Sequence, residues 1–102
     1  MENGFVGNRW AVVGFDYDTA KALIAAIEHS TIDKDVLRRK QTTRELETEF
    51  TDGTILRWVP AIPNSKGCRF NKMWCDKNID IKIFQNIILP CYMGREEDII
   101  WV

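Results

Sequence analysis

One histidine, His29, and three cysteines, Cys68, Cys75 and Cys91, are the residues in this chain that could form a nucleophile–base pair or a soft metal site. Nucleophilic catalysis needs a thiol and an imidazole within hydrogen-bond reach of each other, and no local motif joins His29 to any of the cysteines. The intervals between the cysteines are six and fifteen residues, with no C-x2-C pair, so the spacing that closes a tetrahedral zinc site is missing. The three are expected to be reduced, mostly buried thiols in a reducing cytoplasm. His29 falls at the expected end of a helix, where an imidazolium meets the negative end of the helix dipole. Glu45, Glu47 and Glu49 alternate along one segment, and Glu96, Glu97 and Asp98 sit in a turn. Both groups read as solvated charge rather than acid–base pairs. No catalytic residue, metal or cofactor is expected.

Binding chemistry has more candidates. Residues 30–44 hold Lys34, Arg38, Arg39, Lys40 and Arg44 against Asp33 and Asp35, a local charge of +3. Residues 66–82 hold Lys66, Arg69, Lys72, Lys77 and Lys82 against Asp76 and Asp80, again +3. If the first cluster and the loop bearing Lys66 and Arg69 lie on one side, they could neutralise phosphates. The alternative is an ordinary mixed-charge surface. The comb of Glu45, Glu47 and Glu49 could dock on a basic protein, or simply keep a strand face soluble. Four tryptophans are present. Trp10 and Trp74 lie in apolar runs and read as core. Leu56, Trp58 and Trp101 are candidates for a protein-binding patch, since large aromatics near a surface anchor interfaces, with packing of Leu56 and Trp58 under a helix as the alternative.

At 102 residues the chain is expected to be one α/β domain with one modest core, residues 1–8 forming a flexible lead-in. A net charge of −1 does not match a dedicated nucleic-acid coat protein. No secretory leader is recognisable, and no apolar run approaches the roughly 18 residues of a membrane span, so a cytoplasmic protein, monomer or homodimer, is expected.

The elements that would position these residues follow from patterning. Trp10 to Phe15 is a β-branched apolar run and predicts a buried strand. Asp16, Asp18 and Thr19 offer capping oxygens to a helix whose Ala20, Leu23, Ile24 and Ile27 share one face. Residues 31–44 carry no decisive pattern: Asp33 to Lys40 fits a short helix or a loop. Alternating residues flank Asp52-Gly53, which predicts a type I′ hairpin with a two-residue loop. That register sets Phe50 opposite Ile55, Thr48 opposite Arg57 and Leu46 opposite Val59 as the inner face. The three glutamates then share the outer face with Leu56 and Trp58. Pro60 and Pro63 end the hairpin, and residues 64–69 read as a loop. Phe70 to Cys75 reads as a strand. A helix capped by Asp76 or Asn78 runs from about Ile79 to Ile88, stopped by Pro90. A turn at Gly94 to Asp98 and a terminal strand Ile99 to Val102 complete the order β-α-(loop or helix)-β-β-β-α-β.

Three segments taken together resemble a known family. WAVVGFDYDTAKALI is similar to the strand and helix after the phosphate loop in the ATPase domain of bacteriophage terminase large subunits. FTDGTILRWVPAIPNSKGCRFNKMWCD resembles the hairpin, the small-residue–Arg-Gly loop and the strand ending in the Walker B acid. NIDIKIFQNIILP resembles the helix that follows. The likeness spans roughly residues 9–92 and implies a trimmed P-loop-NTPase-like core with a mixed sheet and flanking helices. It also implies a phage or prophage origin.

The chemistry that the family performs is not expected here. The G-x4-G-K-[ST] loop that holds phosphates and magnesium has no counterpart, and Gly4 to Arg9 cannot substitute for it. Asp76 keeps the place of the metal-binding acid, but Lys77 stands where the water-activating glutamate belongs, and an ammonium cannot act as that base. Lys66 replaces the loop arginine. What remains is a non-catalytic phage-type protein that binds a host or phage protein, an anti-CRISPR-like inhibitor of a defence nuclease being one form. The alternative is a DNA-binding accessory of packaging or DNA metabolism.

Overall fold

The computed structural model describes residues 8–62 and 69–102. The segments 1–7 and 63–68, which include Pro63, Lys66, Cys68 and all of the expected lead-in but Asn8, lie outside the described residues; the Asn8 carbonyl accepts from the Ile55 N–H (2.9 Å). Six strands form one mixed sheet: β1 (Arg9–Val13), β2 (Val36–Gln41), β3 (Leu46–Phe50), β4 (Ile55–Val59), β5 (Lys72–Cys75) and β6 (Ile100–Trp101). Their spatial order is β2-β3-β4-β1-β5-β6. β4, β5 and β6 run parallel to the β1 direction, whereas β3 is antiparallel to β4 and β2 antiparallel to β3. The chain is an α/β protein with helices on both faces.

β1 is the axis of this arrangement. Ala11, Val12 and Val13 are at most 1% exposed, so the strand is buried on both faces, as its unbroken apolar run requires. Because side chains alternate, Val12 joins one core and its two neighbours join the other. The first core packs Val12, Phe15, Leu46, Phe50 and Leu56 against Ala20, Ile24 and Ile27 of α1 (Tyr17–Ser30). The second packs Ala11, Val13, Val59, Phe70, Met73 and Cys75 against Phe84, Ile88 and Tyr92.

α1 begins where Asp16 accepts a hydrogen bond from the Thr19 N–H (2.8 Å), and its last turn carries His29 as expected. The second helical segment is irregular. Asp80, rather than Asp76 or Asn78, caps it by accepting from Lys82 and Ile83. A short α2 (Ile81–Ile83) widens into a π-helical turn (Phe84–Ile88) and tightens into a 3-10 turn (Leu89–Cys91). Pro90 lacks the N–H for a regular bond to the Asn86 carbonyl and would press its ring on that oxygen, so a regular α-turn cannot pass through it. In the wider turn the Leu89 N–H reaches back to the Phe84 carbonyl.

Two expectations are corrected. The undecided segment 31–44 contains neither a helix nor only a loop: it supplies the edge strand β2. Five of its six residues are exposed, so it has no apolar alternation to read, and it is a strand because β3 offers it an open edge. The hairpin register is also shifted by one residue. Thr48 pairs with Leu56 and Glu49 with Ile55. The loop is three residues long, closed by Gly53 N–H to Phe50 O (3.0 Å) and Phe50 N–H to Thr54 O (2.8 Å). Within this loop only Gly53 has positive φ (91°), whereas a type I′ turn needs it at Asp52 too. Asp52 instead accepts a bond from the Thr54 N–H, which favours the longer loop.

That single-residue shift moves every β4 side chain to the other face. Leu56 and Trp58 now lie beside Leu46, Thr48 and Phe50 under α1, and Ile55, Arg57 and Val59 take the opposite face with the glutamates.

Gly14 ends β1 at φ 89°, and a Cβ there would meet Ile79 Cδ1 at 3.2 Å and Asp76 Cβ at 3.3 Å. Gly14→Ala is therefore expected to cost about 1–3 kcal/mol of stability, read as a lower urea midpoint with an unchanged denaturant slope.

Candidate binding surfaces

In an open α/β sheet, ligands usually sit beyond the carboxyl ends of two neighbouring strands whose connections leave over opposite faces. Here β1 leads into α1 on one face and β5 leads into the Phe84–Cys91 segment on the other, which marks the ends of β1 and β5. Gly14, Asp16, Asp76 and Lys77 gather there. Ile79 packs against Gly14 between them. Both carboxylates serve the backbone: Asp16 caps α1, and Asp76 accepts from the Asn78 N–H at 2.9 Å. No group of three or more potential metal ligands occurs among the described residues. The Cys75 thiol is buried, and desolvation followed by the charge of Asp76 pushes it up to about 12, far from a thiolate at neutral pH. Cys75 belongs to the core opposite α1, so it cannot meet His29, which is exposed at the end of that helix.

The acidic comb and the first basic cluster meet on adjacent strands. Arg38 lies opposite Glu49, Lys40 opposite Glu47, and Arg57 of β4 opposite Glu47 from the other side. The resulting pairs are Arg38–Glu49 (3.0 Å), Lys40–Glu45 (2.8 Å) and Arg57–Glu47 (2.9 Å). The Lys40–Glu45 hydrogen bond raises the pKa of Lys40 and lowers that of Glu45. Exposed pairs of this kind add little to stability, so their larger consequence is to cancel the field that either cluster would project. Arg44 makes no ion pair among the described residues.

Arg39 and Lys34 point to the α1 side. Arg39 forms a two-pronged bridge to Glu28 with Nη2–Oε1 3.0 Å, and the buried Thr48 hydroxyl donates to the other Glu28 oxygen. Glu28 thereby ties α1 to β2 and β3. Its helical position shows nothing of this role in sequence, because both partners arrive through the fold. Glu28→Ala would leave the Thr48 hydroxyl buried and unpaired. It is expected to cost about 1–3 kcal/mol, measured by chemical denaturation.

Lys34 Nζ sits 2.9 Å from Asp52 and 3.5 Å from Asp33, and the bond to Asp52 raises its pKa. The second basic cluster divides. Lys72 lies between Trp10 and Trp74, its ammonium 4.8 and 5.0 Å from the ring centroids. The two indoles meet edge to face at 5.8 Å, and both are half-buried rather than fully core. Arg69 lies on the other face with Arg9 and Arg57, around a groove of about 260 Å³ floored by Ala11, Val59 and Phe70. Lys77 follows β5 and Lys82 stands on α2. Among the described residues the two clusters meet only where Lys34 and Lys72 flank Trp10, their ammonium groups 6.0 and 4.8 Å from its ring, and otherwise stay apart.

The tryptophan patch is corrected too. Leu56 is fully buried, and Trp58 donates its indole N–H to the Phe15 carbonyl (2.9 Å) while stacking edge-on against Tyr17. Both pack under α1, Leu56 fully and Trp58 partly buried. Trp101 is 48% exposed, with its ring 5.1 Å from Phe84.

The fold and these surfaces define a mixed-sheet α/β protein whose outer strands, β2 and β6, pair on one side only among the described residues, with an internally neutralised face. No family model, no curated protein and no solved structure matches the chain. No helix among the described residues is long and apolar enough to cross a membrane.

The charge pairing yields a pH test. The Thr54 backbone N–H first, and the Lys34 ammonium second, pull the Asp52 carboxyl down from 3.8 to about 2. A depressed carboxyl stabilises the fold above its unfolded value, and that contribution disappears as pH falls from about 3.8 toward about 2. Asp52→Asn is expected to flatten the stability–pH curve in that window, with little slope change above pH ~5.

Proposed function

We propose that the chain is a non-catalytic protein-binding module and that the β6 edge around Trp101 is its contact surface. The observation carrying this reading is the exposure of that edge. Ile100 and Trp101 are 38% and 48% exposed on a strand that ends the sheet, and Ile81 (59%) stands one helical turn from the Phe84 that supports Trp101. An open strand edge offers backbone hydrogen bonds to an added strand, and an aromatic beside it offers an anchor. The engagement of Asp16 and Asp76 as caps, and the position of Lys77, support a non-catalytic role.

We read the sheet as a trimmed P-loop-NTPase-like core. Its support is the parallel β4-β1-β5-β6 portion with Asp76 at the carboxyl end of β5, where the resemblance puts the Walker B acid. On that resemblance the partner is a host or phage protein in a bacterial cytoplasm, inhibition of a defence nuclease being the specific form. The ion pairs of β2 weigh against a DNA-binding accessory, because Arg38, Arg39 and Lys40 already face carboxylates.

The test is affinity capture of the tagged chain from its bacterial host, with and without nuclease, beside Trp101→Lys. A stoichiometric protein partner that survives nuclease and is lost in the variant is the expected result, with the variant's far-ultraviolet circular dichroism unchanged. Recovery of nucleic acid alone, or an identical partner on the variant, would overturn it.

A further inference from the structure

The groove at the start of β1 and β4 lies apart from the β6 edge and has its own chemistry. Arg9 pairs with Ile55 in the sheet register, and Ala11 with Arg57, so the strands place Arg9 and Arg57 around the same opening. Arg69, just before the Phe70 bridge to Tyr92, closes a third side. The floor is apolar: Ala11, Val59 and Phe70 are at most 3% exposed, and Ile55 is half-buried. Three arginines line the opening, and among the described residues no acidic residue does.

The charge balance is informative. Arg57 is held by Glu47 at 2.9 Å. The side chains of Arg9 and Arg69 are exposed and make no ion pair among the described residues, although every other arginine of the sheet strands has a carboxylate partner. Two uncompensated guanidinium groups beside a buried apolar floor fit a ligand with about two negative charges on an apolar body. A phosphate monoester has that charge at neutral pH, about −1.5 to −2, and its oxygens accept the forked donors of arginine. A volume of about 260 Å³ is below the usual range for drug-sized ligands, so the body is a single ring or a short chain.

We propose that this groove binds a small organic phosphate, with Arg9 and Arg69 holding the phosphate and the Ala11–Val59–Phe70 floor holding an apolar or aromatic body. The source can be a free metabolite or a phosphorylated aromatic side chain, since both present the same group. Arg57 stays with Glu47 and limits the charge the site can hold.

The experiment titrates phenyl phosphate into the isotope-labelled full chain and follows its amide and arginine side-chain resonances. Saturable shifts confined to Arg9, Ala11, Ile55, Arg57, Arg69 and Phe70 are expected. The Arg9→Gln/Arg69→Gln double variant is expected to weaken binding about tenfold or more, since charge-assisted bonds are lost, with an unchanged thermal midpoint because neither side chain makes an ion pair among the described residues. Inorganic phosphate should bind more weakly and phenol not measurably. A phosphotyrosine peptide binding much more tightly than phenyl phosphate would assign the site to a protein ligand; equal or weaker binding would assign it to a free one. Shifts scattered over the surface lysines, affinity unchanged in the double variant, or phenol binding as well as its phosphate would each overturn the proposal. Trp101→Lys leaves this groove intact, so its outcome and this one are independent.

Discussion

Burial of β1 on both faces is the constraint on which the rest of the molecule depends. A strand with water on one face needs one layer of cover; β1 needs two, and the chain supplies them from two directions. Val12 requires α1 above it, and Ala11 and Val13 require the Phe84–Tyr92 segment below. The crossover through α1 returns β2 in the direction of β1, and the two antiparallel pairings that follow bring β4 alongside β1 in parallel. Gly14 is the corollary. The chain must leave β1 sharply while Ile79 fills the space beside it, and only a residue without Cβ fits both conditions.

The distribution of charge shows how a near-neutral total can hide strong local asymmetry. Sequence separates the basic and acidic runs by a few residues, and antiparallel pairing folds one onto the other. Once β2 lies against β3, the bases and acids alternate across the face, and the field of each largely ends on its neighbour. Arg9 and Arg69 escape this cancellation because they lie at the ends of elements on the opposite side of β4, away from the glutamate strand.

Turn chemistry explains the one error with wide consequences. Asp-Gly is the signature of both the two-residue I′ hairpin and a three-residue loop with glycine in the left-handed position. Asp52 decides between them only in three dimensions, by binding the Thr54 N–H and the Lys34 ammonium, a residue from before β2. The one-residue difference carries Leu56 and Trp58 from a solvent face to the core. β2 was illegible for a different reason. An edge strand exposed along both sides buries too little to leave a period, and its pairing energy comes from β3 rather than from its own residues.

The sequence by itself determined the apolar run of β1, the amphipathic face and Asp16 cap of α1, the existence of the hairpin, and the interruption at Pro90. Each is a local matter of periodicity, capping oxygens or backbone restriction, so neighbouring residues suffice to specify it. Only the tertiary structure decided which residues face each other: the Glu28–Thr48–Arg39 tie, the neutralised strand face, the burial of Trp58, and the gathering of Arg9, Arg57 and Arg69. Those relations join residues far apart in the chain, and their geometry is set by sheet order and register, which no local pattern encodes.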